Sequence, residues 1–132
     1  MIVLDCETTG DDSRMNSISI VSIGAVEFDK PGNRFYEECK IWDGAEIQPK
    51  ALEVNGFTEA QIKDPNKKSL RKVIEEFFLW TNTCADKTLA GINPSYDRDM
   101  VKISAQRYGI NYSLGYRTID LHSLCYIHHL KR

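Results

Sequence analysis

The chain has 132 residues, enough for one domain with a hydrophobic core, and its 42% hydrophobic and 27% charged residues are typical of a globular protein. A formal net charge of −2 argues against a protein that coats long nucleic acids through bulk positive charge. The apolar runs are short, which argues against a membrane span, and the N-terminus has no basic leader, which argues against a signal peptide. The four cysteines contain no CxxC pair, which argues against a zinc ribbon and favours a reducing, cytoplasmic location.

The first third of the chain predicts three strands joined by short loops. Residues 2–6 are an apolar run, and residues 18–28 (ISIVSIGAVEF) have the β-branched composition of a long central strand. Polar residues 11–17 predict a loop, residues 29–33 (DKPGN) predict a turn, and residues 34–42 predict a third strand. Together these segments indicate an antiparallel meander.

Helical signals dominate the middle of the chain. Residues 58–61 (TEAQ) match a capping box within an otherwise irregular stretch from 43 to 66. A helix over about residues 68–84 is predicted by apolar residues at helical spacing, namely Leu70, Val73, Ile74 and Phe77. Residues 87–92 then predict a fourth strand.

The last third predicts a helix, a short strand and a final helix. Asn93 fits the N-cap of the first helix, Pro94 its first turn, and Gly109 a left-handed end. A strand over residues 116–119 and a helix from residue 121 follow. The order βββαβαβα predicts an α/β fold, with an antiparallel meander extended by parallel strands, flanking helices, and both faces of the first strand covered.

Two carboxylates near the N-terminus indicate metal chemistry. Asp5 and Glu7 are two residues apart in a predicted strand, so their side chains point to the same face and repel each other. Mg²⁺ or Mn²⁺ would relieve this repulsion, since both ions prefer carboxylate oxygen. The alternative is a strand end at which both acids are simply in water.

A third acid follows the fourth strand. Asp97 lies in the sequence GINPSYD (91–97), in the first turn of the predicted helix. Ligands of open α/β sheets bind at the carboxyl ends of parallel strands, which would bring Asp97 to Asp5 and Glu7 if the two strands are neighbours. The alternative is an acid placed at a helix N-terminus by the helix dipole.

These segments resemble the DEDD superfamily of 3′–5′ exonucleases, which includes the proofreading subunit of bacterial DNA polymerase III, RNase T and oligoribonuclease. Residues 5–10 (DCETTG), followed by 20–26 (IVSIGAV), resemble the first motif, and residues 93–97 (NPSYD) resemble the second. Residues 51–58 (ALEVNGFT) resemble the segment that links them. The resemblance covers almost the whole chain in the correct order.

The resemblance implies a ribonuclease H-like fold and a two-metal hydrolysis of phosphodiester bonds at single-stranded DNA or RNA 3′ ends. It implies that Asp5, Glu7 and Asp97 are catalytic metal ligands for Mg²⁺ or Mn²⁺. It also implies a substrate pocket formed by Thr8, Val54, Asn55, Phe57, Asn93 and Tyr96. For Phe57 and Tyr96, ordinary core packing is the alternative.

The sequence departs from the family at its C-terminal end. The family's third motif, a His or Tyr followed by a fourth acid, has no counterpart, because no acid follows Asp120. We therefore expect residues 1–132 to form an exonuclease domain without the family's last helix, with a weak second metal site and weak or no activity alone. We also expect self-association, or a partner chain that covers the incomplete edge.

Three alternatives stay open. Asp120 with His122 could replace the missing acid and base, although a structural Asp is the simpler interpretation. A helix face with His122, Cys125 and His129 could hold a transition metal, or could pack against another segment. A non-catalytic nucleic-acid-binding or protein-interaction module on the same fold is the alternative function.

Overall fold

The computed structural model describes residues 1–131, which form a mixed six-stranded sheet with helices. The strands are β1 (Ile2–Thr8), β2 (Ile20–Glu27), β3 (Lys30–Lys40), β4 (Lys68–Ser69), β5 (Leu89–Gly91) and β6 (Thr118–Asp120). The helices are α1 (Pro49–Asn55), α2 (Glu59–Ile62), α3 (Leu70–Thr81), α4 (Pro94–Arg107) and α5 (Leu121–Leu130). The strand order β4-β3-β2-β1-β5-β6 confirms the predicted meander with parallel extensions.

The turn between β2 and β3 differs from the sequence prediction. The chain reverses at residues 28–29, and β3 begins at Lys30, so the predicted turn over 29–33 is wrong for most of its length. Pro31 lies inside the strand, near a register irregularity between β2 and β3. Proline is tolerated there because β4 pairs only with residues 39–40, which leaves this end of β3 at the sheet edge.

Helix α3 begins later than its apolar pattern predicts. Residues 68–69 pair in parallel with the end of β3, and the Ser69 hydroxyl then accepts the backbone N–H of Lys72 as an N-cap. The predicted apolar stripe is buried, as are Phe78 and Thr81. The two-residue strand β4 is too short to give a sequence signal, so the prediction assigned it to the helix.

The main core cluster lies on one side of the sheet, between the sheet and helices α3 and α4. Leu4 and Cys6 of β1 belong to the main cluster with Phe77 of α3 and Met100 of α4. Asp5, which points to the other side of β1, is exposed. The expectation that both faces of β1 are covered is therefore wrong for Asp5, because α3 and α4 pack against the same face.

The ends of two helices follow the predicted chemistry with one exception. Thr58 and Gln61 form the predicted capping box, and Gly109 has a left-handed φ of 66° after α4. Pro94 occupies the first turn of α4. Asn93 stands at the N-cap, as predicted, with a left-handed φ of 52°, although its side chain makes no capping hydrogen bond.

Helix α5 has no buried residue. Its N-cap is Asp120, whose Oδ1 accepts the backbone N–H of His122 at 3.0 Å, so Asp120 has a structural role here. Large apolar side chains are exposed along the helix, namely Leu124, Tyr126, Ile127 and Leu130. Over residues 1–131, none of the helices has the length and apolar character needed to cross a membrane.

The four cysteines differ in their surroundings. Cys6, Cys39 and Cys84 are buried, and Cys125 on α5 is exposed. Burial raises the pKa of Cys6 and Cys84 and raises the pKa of Cys39 to about 12. The three buried thiols are therefore held in the protonated, weakly nucleophilic form.

Candidate active site

The first turn of α4 brings Asp97 to the strand that carries the other two acids. Its Oδ1 accepts the backbone N–H of Cys6, which lies between Asp5 and Glu7, at 3.0 Å. This N–H is available because β5 pairs with β1 only at Ile2 and Val3. On this side of β1, Asp97 therefore takes the place of the strand partner beyond the end of β5, as expected at the carboxyl end of adjacent parallel strands.

The approach of β5 to β1 depends on a residue without a side chain. A Cβ atom on Gly91, the last residue of β5, would lie 2.8 Å from the carbonyl oxygen of Leu4. Any larger residue would push the two strands apart. The close spacing lets α4 start directly beside β1, which is what places Asp97 at the Cys6 amide.

The acids repel each other without local compensation. Asp97 is only 4% exposed, and burial, with smaller contributions from Asp5 and Glu7, raises its pKa to about 7 despite the hydrogen bond from Cys6. Burial and Asp5 also raise the pKa of Glu7. Among residues 1–131, no basic side chain forms an ion pair with any of the three acids. The site therefore favours protons or cations from outside.

A cleft of about 510 Å³ opens beside Glu7. Six of the residues predicted for the site line it, namely Glu7, Thr8, Val54, Asn55, Asn93 and Tyr96. Val54 presents its side chain almost fully to solvent, at 81% exposure. Helix α1 thus supplies an apolar wall of the cleft, opposite the polar end of β1.

Asn55 connects that wall to β1. Its Nδ2 donates to the carbonyl oxygen of Thr8 at 3.0 Å, and its Oδ1 accepts the backbone N–H of Phe57 at 3.1 Å. Phe57 itself is not among the cleft residues; its half-buried side chain packs with the small core cluster around Ile62, and the Lys67 ammonium lies 5.3 Å from its ring centroid. For Phe57 the structure favours the packing alternative.

Thr8 and Tyr96 contact each other across the cleft floor. Their hydroxyl oxygens are 2.7 Å apart, and both lie within hydrogen-bond distance of the carbonyl oxygen of Gly10, at 2.7 Å from Thr8 and 2.8 Å from Tyr96. Asp5 lies apart from these residues, on the open face of the sheet, where it lines a separate groove with Val3 and Arg34.

Sequence reasoning missed residues that shape the cleft. The Thr9 hydroxyl donates to the carbonyl oxygen of Glu46 at 2.6 Å and accepts the Ser19 N–H at 3.0 Å, and Thr9 is fully buried. A Cβ on Gly10 would lie 2.5 Å from the Ile18 side chain. The remaining lining residues are Cys6, Asp11, Asp12, Gln48, Lys50 and Ala51. The sequence TTG at the end of β1 was the available signal for Thr9 and Gly10.

The donors suit a hard divalent cation in type but do not form a complete cage. All three acids offer oxygen, the ligand that Mg²⁺ and Mn²⁺ prefer. Within residues 1–131 no group of three or more His, Cys, Asp or Glu side chains is arranged to hold a metal ion, which also contradicts the alternative site at His122, Cys125 and His129. Mg²⁺ commonly binds one or two protein carboxylates plus substrate phosphate and water, so the donor chemistry still fits.

Known proteins share this architecture. The cell-death related nuclease 4 (CRN-4) superposes with a TM-score of 0.73 at 15% identity, covering 98% of this chain and 47% of that chain. The nuclease domain of 3′hExo, a DEDDh family member bound to rAMP, gives a TM-score of 0.70 at 12% identity, with coverages of 92% and 66%. E. coli exonuclease I in complex with a dT13 oligonucleotide gives 0.72 at 18% identity, with coverages of 90% and 26%.

The chain spans less than half the length of CRN-4 and about a quarter of that of E. coli exonuclease I. At these identities the superpositions establish the fold, a ribonuclease H-like exonuclease fold, rather than the chemistry. A sequence model of the exonuclease family, of the RNase T type, matches residues 2–124, which is nearly the whole chain. The chain therefore belongs to the exonuclease family and has the fold of the DEDD 3′–5′ exonucleases.

Proposed function

We propose that this protein hydrolyses phosphodiester bonds at the 3′ end of single-stranded nucleic acid, with Asp5, Glu7 and Asp97 as the catalytic acids. The observation that carries the proposal is the 3.0 Å hydrogen bond from Cys6 N–H to Asp97, which joins the two acid-bearing elements beside an open cleft. Membership of the exonuclease family supplies the reaction class.

Mg²⁺ or Mn²⁺ held by these acids would lower the pKa of water and neutralise charge on the scissile phosphate. The acids are suited to hold such an ion because their own charges are uncompensated, as the raised pKa values of Glu7 and Asp97 indicate. Because no three-ligand cage is preformed among residues 1–131, we propose that one ion binds better than two and that substrate phosphate completes the site. Activity of the chain alone is correspondingly weak.

The terminal nucleotide would lie in the cleft between α1 and the first turn of α4. The exposed side chain of Val54 and the ring of Tyr96 offer apolar surface to a base without reading its identity. Asn55, Asn93 and the backbone of Thr8 would border the sugar. E. coli exonuclease I in the structure named above binds dT13, a single strand, which fits a single-stranded substrate here as well.

We propose that the Lys50 side chain contacts substrate phosphate. It is exposed, lines the same cleft, and is the basic residue among the described lining residues, which otherwise include the acids Glu7, Asp11 and Asp12. A cation at this position would offset the repulsion between these acids and an incoming phosphodiester chain.

A second candidate is a protein-interaction or nucleic-acid-binding module on the same fold. The exposed apolar side chains of α5 favour it, since such a surface is typical of contact with another protein. It differs from the first candidate in requiring no cation and no acid at position 97.

The test is a degradation assay on single-stranded DNA and RNA labelled at the 3′ end, with Mg²⁺ or Mn²⁺ and with EDTA. We expect label release that depends on the cation, that falls to background in Asp97→Ala, and that persists in Asp43→Ala, an exposed acid distant in sequence. A 5′-labelled copy of each substrate should shorten stepwise. Equal release by wild type and Asp97→Ala would contradict the catalytic assignment and favour the second candidate.

A further inference from the structure

The two acid-bearing elements are joined by a cluster of oxygen atoms next to the acids. Thr8 directly follows Glu7, and Tyr96 directly precedes Asp97. Their hydroxyl groups and the carbonyl oxygen of Gly10 form a triangle of contacts of 2.7, 2.7 and 2.8 Å. We call these three residues, Thr8, Gly10 and Tyr96, the hydroxyl clasp.

The clasp leaves its hydroxyl groups little capacity for other partners. Thr8 is 6% exposed, and Tyr96 is half-buried against the main core. Two hydroxyl protons serve three short contacts, so at any moment both protons are engaged within the cluster. These hydroxyls therefore act between elements of the protein rather than on a ligand.

Both elements need such a connection at this end. The β1–β2 register shifts between Glu7 and Thr8, so the ladder is irregular at the end of β1, where Thr8 lies opposite Ile20. Helix α4 starts from Asn93, which has left-handed backbone and gives no side-chain cap. Neither the sheet nor the helix alone determines how far Glu7 lies from Asp97.

We propose that the hydroxyl clasp is a positioning device that fixes Glu7 and Asp97 relative to each other, so that both can serve one cation. This inference rests on the proposed function. The clasp acts through its neighbours in sequence: Thr8 holds the end of β1 and Tyr96 holds the first turn of α4. Asn55 strengthens it by donating to the carbonyl oxygen of Thr8 at 3.0 Å.

The first measurement needs no metal. The Cys6 amide donates to Asp97, so its hydrogen exchange, followed by NMR in EDTA, reports whether α4 stays against β1. Tyr96→Phe and Thr8→Val each remove one hydroxyl while keeping the shape of the side chain. We expect Cys6 exchange to accelerate about 5–10-fold in either variant, as for the loss of about one hydrogen bond, with the β2 amides unchanged.

The controls separate this effect from general loss of stability. Thr8→Ser keeps a hydroxyl, so its Cys6 amide should exchange at the wild-type rate. Tyr112→Phe makes the same chemical change where the phenol donates to the carbonyl oxygen of Gly115 at 3.3 Å, and should leave Cys6 exchange unaltered. Cys6 exchange that stays at the wild-type rate in both clasp variants, or that accelerates together with all strand amides, would overturn the proposal.

The second measurement titrates Mn²⁺ into the same proteins by calorimetry. We expect affinity to fall about 10–100-fold in Tyr96→Phe and Thr8→Val, the range typical of residues that orient metal ligands, and to be retained in Thr8→Ser and Tyr112→Phe. Wild-type affinity in the clasp variants would overturn the proposal and leave the proposed function standing. A wild-type chain that binds no Mn²⁺ would contradict the proposed metal site, and the clasp's role falls with it.

Discussion

Replacing Asp97 by Asn should make the metal-free protein more stable and, at the same time, inactive. The asparagine Oδ1 still accepts the Cys6 N–H, so the hydrogen bond remains while the buried charge disappears. Burial, together with Asp5 and Glu7, makes the charged form of Asp97 unfavourable, and the pKa of Asp97 therefore rises from 3.8 to about 7. The variant thus isolates what the protein gives up in stability to keep an acid at this position.

The magnitude follows from the pKa shift. The folded state binds the Asp97 proton more tightly than the unfolded chain, so this group stabilises the wild type fully below about pH 4 and progressively less up to about pH 7. The change of this pKa from 3.8 to about 7 corresponds to a free energy of about 4 kcal/mol. The free energy of unfolding of Asp97→Asn should therefore exceed that of wild type by about 4 kcal/mol at pH 9. This difference should become steadily smaller towards pH 4.

Urea unfolding in EDTA at pH 5, 7 and 9 measures this difference. Asp43→Asn makes the same chemical change at an exposed position and should stay within about 0.5 kcal/mol of wild type at each pH. An Asp97→Asn variant no more stable than wild type at pH 9, or a difference that does not change between pH 5 and 9, would refute the reasoning.

Three further predictions follow from the cleft and the surface. Lys50→Gln should reduce the salt dependence of oligonucleotide binding and lower the slope of log K against log salt by about 0.7. Lys72→Gln, on the outer face of α3, should leave this slope unchanged. Equal slopes for wild type and Lys50→Gln would show that Lys50 does not contact the oligonucleotide. Gly10→Ala should destabilise the protein by about 1–3 kcal/mol in urea unfolding, because its Cβ would lie 2.5 Å from a neighbouring side chain, while Gly115→Ala, with open space around it, should be neutral. The apolar surface of α5 should cause concentration-dependent association in light scattering, and a monodisperse monomer at high concentration would contradict that expectation.

The features that depend on local sequence were predictable. The capping box at residues 58–61 and the left-handed Gly109 need only neighbouring residues, and both occur where the sequence indicates. The parallel pairing of β5 with β1 follows from the order of strands and helices, and that order also brings Asp97 to the strand of Asp5 and Glu7.

The features that depend on contacts between residues distant in sequence, or on which face of a strand is covered, could not be predicted from the sequence. Thr9 contacts Glu46 across 37 residues of sequence, in a region without periodicity, so no local pattern identifies it. Asp5 is exposed because both packed helices lie on the opposite face of β1; the alternation of apolar and acidic residues marks the face of Leu4 and Cys6 as buried but does not tell whether the acidic face is covered as well. An aromatic residue such as Phe57 is equally compatible with lining a cleft and with packing against Ile62, so the sequence does not distinguish the two.

The unequal burial of the cysteines makes the protein suited to selective labelling. A maleimide reagent reacts with the thiolate, and Cys6, Cys39 and Cys84 are shielded and held protonated, whereas Cys125 faces solvent on α5. A fluorophore would therefore attach to α5 in the unmodified sequence, without engineering the cleft. Such a probe would sense any molecule that covers the apolar face of this helix, and would do so independently of nuclease activity.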